Sequence, residues 1–149
     1  DRVRIGVLDS VLAEADVGSL HVPLGQSTHH LLDARRIGMM KPGAILINTA
    51  RGPLVDTAAL EAALRSGRLR GAGLDVFDPE PPNPQSSLLQ LPNVVATPHV
   101  AAATDGARRR LWSGAINAVL AVFTGVRPEH LVNPDAWDSV AARLGAAGR

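Results

Sequence analysis

The sequence has no cysteine. That excludes a disulfide framework and any thiolate metal site, and nothing in it calls for an oxidising compartment. Charge of one sign is missing too: Lys+Arg number 15 against Asp+Glu 14, a formal net charge of +1. No broad field is available to hold a polyanion or an acidic membrane surface, so neither nucleic acid nor membrane is an expected partner. No apolar run approaches the ~20 residues needed to span a bilayer, and Asp1-Arg2-Val3-Arg4 opens without the apolar core of a signal peptide. A soluble cytoplasmic protein is expected. Aromatics make up only 3% of the chain, so the core must be built from Ala, Val, Leu and Ile. At 149 residues the chain has the length of one ordinary domain, which buries roughly two thirds of the surface exposed by its unfolded form. Internal repeats, low-complexity tracts and dividing linkers are all absent.

What is present is organised around Gly43-Ala44-Ile45-Leu46-Ile47-Asn48-Thr49-Ala50-Arg51-Gly52, an apolar strand punctuated by Lys41-Pro42-Gly43 before it and by a small-residue turn with one arginine after it. Three other segments share this form. The run from Ala15 to Leu20 leads to His21-Val22-Pro23, Gly71 to Leu74 leads to Asp75, and Asn93 to Ala96 leads to Thr97-Pro98-His99. In an open parallel sheet, ligands sit in the crevice outside the carboxyl ends of the strands. Four parallel strands would therefore gather His21, Arg51, Asp75 and His99 along one edge.

Between these strands the chain carries helix signals. Asp9 is a candidate cap for a short helix over Ser10 to Glu14, Asp33 for one ending at Lys41-Pro42-Gly43, and Asp56 for one with Leu60, Ala63 and Leu64 on its face and Ser66-Gly67 as its end. Thr104 or Asp105 starts the longest helix, with Leu111, Ala115, Ala118, Val119, Val122 and Phe123 on one stripe and Gly125 as its stop. The stripe, with Trp112, reads as core or dimer surface. Val3, Ile5 and Val7 alternate as in an edge strand. Phe77 to Pro84 holds four prolines and must run extended. After Val126 a turn and a final short helix are expected. His29-His30 reads as exposed and not as a metal site, and Arg108-Arg109-Arg110 as a solvated face.

Alternation of strand and helix gives an α/β, doubly wound, Rossmann-like parallel sheet. A dinucleotide site of that kind uses a Gly-rich turn after its first strand, so that backbone amides reach the pyrophosphate. No G-x-G-x-x-G occurs here. The chain is expected to be the second half of such a domain, with the first βαβ unit missing.

Three motifs carry a family resemblance: Asn48-Thr49-Ala50-Arg51-Gly52-Pro53-Leu54-Val55-Asp56, Gly71 through Asp75-Val76-Phe77-Asp78-Pro79-Glu80-Pro81, and Leu91 through Thr97-Pro98-His99. In order and spacing they resemble the D-isomer-specific 2-hydroxyacid dehydrogenases, which include phosphoglycerate dehydrogenases and glyoxylate/hydroxypyruvate reductases. The likeness runs from about Asp9 to Val132-Asn133-Pro134 and covers the later part of a family member. It implies a catalytic trio of Arg51, Glu80 and His99, and cofactor contacts at Val22, Thr49, Ala50, Arg51, Asp75, His99, Ala101 and Ala102. It further implies NAD or NADP as cofactor with NAD favoured, a small 2-hydroxy or 2-keto acid as substrate, and a homodimer. Residues 1–125 would form a partial NAD(P)-binding domain and 126–149 a tail returning toward a substrate domain. Two alternatives stand beside the enzyme: an NAD(H)-dependent scaffold of the C-terminal-binding-protein corepressor type, and an inactive truncated module.

The residue types suit the chemistry. Reduction of a 2-keto acid needs a cation for the carboxylate, which Arg51 supplies as a permanently charged fork. It also needs an acid near neutral pH for the forming alkoxide, which histidine supplies, and a carboxylate beside the imidazole favours its protonated form. Asp75 is open to two readings, a cap for its own loop or a hydrogen-bond acceptor for the nicotinamide amide.

Overall fold

A computed structural model describes residues 3–147 of the chain. The chain forms two compact units, Asp1–Ala101 and Ala102–Arg149.

The first unit is an α/β layer structure. Helix α1 (Leu8–Glu14), strand β1 (Val17–Leu20), helix α2 (Ala34–Met39), strand β2 (Ala44–Asn48), helix α3 (Thr57–Arg65), strand β3 (Leu69–Leu74) and strand β4 (Val94–Ala96) follow in order. The four strands make one sheet in the order β1-β2-β3-β4, and every pair is parallel. Parallel neighbours need crossovers, and α2 and α3 provide two of them. In the sheet interior, Ala44, Leu46 and Asn48 of β2 and Leu69, Ala72 and Leu74 of β3 are buried. They pack against Ile37 and Met40 at the end of the α2 segment and Leu60, Ala63 and Leu64 of α3. No aromatic side chain belongs to the fully buried set, in keeping with the composition.

Local signals set the helix starts. The Asp33 carboxylate accepts from the Arg36 N–H, and the Asp56 carboxylate from the Ala59 N–H, so each fills an otherwise orphaned donor of the first turn. At the end of α3, Gly67 takes φ +72°, a left-handed conformation that glycine adopts without steric cost.

Two sequence expectations fail here. Asp9 does not cap α1; it lies inside the first turn, where its carboxylate takes hydrogen bonds from Arg35 and Arg36 and so ties α1 to α2. Val3, Ile5 and Val7 form no strand and stand largely exposed. An alternating pattern becomes a strand only with a neighbour to share its hydrogen bonds, and among the described residues none pairs with this segment.

The second unit holds helix α4 (Asp105–Phe123) and helix α5 (Trp137–Ala147), with a short 3-10 turn at Pro134–Ala136. The Thr104 hydroxyl caps α4 by accepting from Ala107 N–H, and Gly125 follows the helix at φ +71°. No residue of α4 is buried. On its apolar stripe Leu111, Ile116, Val119, Leu120 and Phe123 are each more than half exposed. Among the described residues no helix is long and apolar enough to cross a membrane.

Candidate active site

Because all strands run the same way, their carboxyl ends share one edge. His21 follows β1, Arg51 follows β2, Asp75 follows β3 directly, and His99 follows β4. The structure joins three of these into one cluster with Glu80, while His21 stays apart, its ring nitrogen 2.8 Å from the Ser19 hydroxyl.

Arg51 sits in a turn whose shape is fixed from within. Asn48, the last residue of β2, is 1% exposed. Its side-chain amide donates to the Arg51 carbonyl at 2.9 Å and its side-chain oxygen accepts from Ala50 N–H at 3.1 Å. Gly52 then lies flat against the Phe77–Asp78 backbone, so closely that a Cβ there would fall 1.8 Å from the Phe77 carbonyl oxygen. One turn is thereby locked to the loop that carries Glu80. The Arg51 guanidinium is exposed and donates to the Ala50 carbonyl at 2.6 Å.

Glu80 lies in the proline loop, where the Asp78–Pro79 and Glu80–Pro81 peptide bonds are cis. One carboxylate oxygen is 2.5 Å from His99 Nδ1 and the other accepts from Phe77 N–H at 3.3 Å. The hydrogen bond from His99, then that from Phe77, hold the Glu80 carboxyl below the ordinary glutamate range, and the charge of Arg51 adds to the effect. Arg51 is thus near enough to act on Glu80 electrostatically.

His99 has φ +55°, an uncommon left-handed conformation for a residue with a side chain. Asp75 holds the segment that carries it. This buried carboxylate accepts from the Thr97 hydroxyl at 2.5 Å and Val100 N–H at 2.9 Å on one oxygen, and from Ala101 N–H at 2.8 Å on the other. Burial alone would raise the Asp75 pKa; the three hydrogen bonds together with the nearby His99 outweigh it and lower the pKa. Asp75 thus clamps the loop after β4 and not its own loop, and the oxygen that bonds Ala101 takes one hydrogen bond where the other takes two.

Thr49, Ala50 and Ala101 at the strand ends have small side chains, and Val22 beyond β1 is exposed. Ala102 opens the second unit and is not among the residues the first unit brings together. His29 and His30 stack ring on ring at 4.1 Å, and among the described residues no three potential ligands cluster as a metal site. A cavity of about 530 Å³ opens beside Glu80 and His99, walled by Phe77, Pro81, Leu89 and Pro98. Its size suits a small molecule.

Sequence reasoning missed Asn48, Gly52 and Thr97 as parts of this site. The signal for Asn48 was there, as a polar residue closing a strand buried on both faces. For Gly52 and Thr97 the partners lie far along the chain and leave no local trace.

Comparison with known proteins agrees with this fold. The model of the D-isomer specific 2-hydroxyacid dehydrogenase, NAD binding domain, matches residues 2–101. A glyoxylate reductase of Thermofilum pendens is 48% identical over 128 residues, which cover 86% of this chain and 38% of that protein. The crystal structure of the TT0316 protein from Thermus thermophilus superposes with a TM-score of 0.80 at 50% identity, covering 88% of this chain and 44% of that one. A D-isomer specific 2-hydroxyacid dehydrogenase from Lactobacillus delbrueckii ssp. bulgaricus, in its NAD complexed form, superposes with a TM-score of 0.76 at 39% identity, covering 84% and 42%. The chain spans about two fifths of the length of the curated relatives it matches. By its motifs, its parallel sheet and these matches, the chain belongs to the D-isomer specific 2-hydroxyacid dehydrogenase family, through that family's NAD binding domain.

Proposed function

We propose that this segment works within a full-length NAD(P)-dependent oxidoreductase that interconverts a D-2-hydroxy acid and its 2-keto acid, with NAD the favoured cofactor. The observation that carries the reading is the Glu80–His99 pair, held 2.5 Å apart at the sheet's carboxyl edge with Glu80 in the field of Arg51. Arg51 holds the substrate carboxylate by paired N–H donors. Glu80 accepts from His99 Nδ1, which leaves Nε2 as the atom that carries and gives up the proton to the forming alkoxide. Asp75 keeps His99 in place and offers the oxygen that bonds Ala101 to the cofactor's amide. When bound, the nicotinamide supplies the hydride. Val22, Thr49, Ala50, Ala101 and Ala102 are its further contacts in this proposal.

In the same reading residues 1–125 are part of the NAD(P)-binding domain and 126–149 lead back toward a substrate domain. The enzyme is cytoplasmic and a homodimer, which the exposed stripe of α4 favours. Substrates are small 2-keto acids such as glyoxylate or hydroxypyruvate.

Calorimetric titration of the 149-residue chain with NADH tests the cofactor half of the site, and saturable binding is expected. Keto-acid reduction by the full-length enzyme tests the chemistry. His99→Ala should cost about 100- to 10,000-fold in kcat with NADH affinity unchanged. Turnover that survives this change, or tight peptide binding without turnover, would overturn the enzyme reading.

A further inference from the structure

We propose that Asn48 is the positioning residue for Arg51, setting the direction in which the guanidinium meets the substrate carboxylate. The inference rests on the carboxylate-binding role given to Arg51 above. Asn48 is buried at the end of β2, and among the described residues its side chain hydrogen-bonds to the backbone of the next turn and to no side chain of Arg51, Glu80 or His99. There it meets one donor, the Ala50 N–H, and one acceptor, the Arg51 carbonyl, two adjacent groups pointing at the same side chain. Only a side chain with one donor and one acceptor on a single short planar group can satisfy both, and a neutral asparagine is the residue that does so. Its own carbonyl accepts from Asp75 N–H at 3.0 Å, so the same residue ties the Arg51 turn to the strand end that steadies His99. With Gly52 pressed on the Phe77–Asp78 backbone, the turn is pinned at both ends, and the exposed guanidinium is held to it by its bond to the Ala50 carbonyl.

The geometry gives Asn48→Asp an unusual signature. As a carboxylate, aspartate keeps the bond from Ala50 N–H but turns a lone pair toward the Arg51 carbonyl. Once protonated it again has one donor and one acceptor in the shape of asparagine. Burial and the facing carbonyl both favour that neutral form. In the full-length enzyme at neutral pH, Asn48→Asp should raise the KM for the keto acid about tenfold, the equivalent of one lost hydrogen bond, while the dissociation constant for NADH stays within about twofold of wild type. As pH is lowered, the ratio of variant to wild-type KM should return toward one. Asn48→Ser, too short to reach both groups, should show the same KM rise without recovery at low pH. A KM ratio flat in pH, or a loss confined to kcat with KM unmoved, would overturn the proposal.

Should the wild-type enzyme turn over no 2-keto acid, the proposed reaction fails on its own. Asn48 is then judged on the full-length protein by amide exchange and by titration with oxamate, a carboxylate with an adjacent carbonyl. Faster Ala50 exchange in Asn48→Ser, and weaker oxamate binding in Asn48→Asp that acid reverses, support the positioning role. Unchanged oxamate binding overturns it.

Discussion

At the scale of single residues, the Glu80–His99 pair makes a claim that can be read without any substrate. The Glu80 carboxyl is held below its ordinary range chiefly by the His99 hydrogen bond, so removal of that partner must let it rise. In His99→Gln, carbon-detected NMR titration should place the Glu80 midpoint nearer the ordinary carboxylate value of about 4 than in wild type. An unmoved midpoint would mean that Phe77 N–H and the surrounding charges set it instead. The sign of the linked stability follows from the same shift. A carboxyl whose folded pKa is lowered contributes stability above its unfolded value, and that contribution is lost as pH falls through the folded value. Asp75 follows the same rule, and both losses belong to the acid side, below about pH 4. What the sequence made legible at this scale was the residue type at each strand end. Arg51, Asp75 and His99 stand where the strand ends place them, because an apolar run closing on a polar residue is a local signal. Asp75's role as a clamp was not legible, since its donors at Thr97, Val100 and Ala101 come from another strand's loop.

At the scale of elements, the contact between the Arg51 turn and the proline loop decides whether the two halves of the cluster share one frame. Gly52 has no left-handed backbone to defend; its need for glycine is purely one of space, against backbone atoms that cannot rotate away. Gly52→Ala should therefore destabilise by about 1–3 kcal/mol through overpacking, read as a lower urea midpoint with an unchanged slope. Gly38 in α2 is the control. An added Cβ there meets nothing within 4 Å, and Gly38→Ala should stabilise by about 0.5–1 kcal/mol through helix propensity. If both variants stabilise, the loop gives way easily and the two segments are not locked. The same distinction between local and distant partners explains which elements could be read in advance. Asp33 and Asp56 cap a helix three residues on, and were legible. Asp9 has the same residue type near a helix start, but its guanidinium partners lie 26 and 27 residues away and draw it from capping into bridging. Val3, Ile5 and Val7 have the right period and, among the described residues, no partner, and period alone does not make a strand.

At the scale of the whole molecule, the two units differ in how they bury apolar surface. Every residue of the hydrophobic core cluster lies between Leu12 and Leu88, in the first unit. The second unit presents a 19-residue helix with no buried residue and large side chains exposed along one face. Contiguous apolar surface of this kind marks an association site more often than solvent-facing structure. If α4 forms the dimer contact proposed above, charge placed on that face must act on association and leave the first unit's core alone. Ile116 and Leu120 are four residues apart, hence on one side of α4, and each is 54% exposed. Sedimentation should give a dimer for the wild-type chain and a monomer for the double variant Ile116→Glu, Leu120→Glu. The urea midpoint reporting on the first unit, measured at a protein concentration where both are monomeric, should shift by no more than about 0.5 kcal/mol in equivalent free energy. A wild-type monomer, or a variant that remains dimeric, would remove α4 from the interface. A large fall in the first unit's midpoint would instead give the stripe a role within the chain itself.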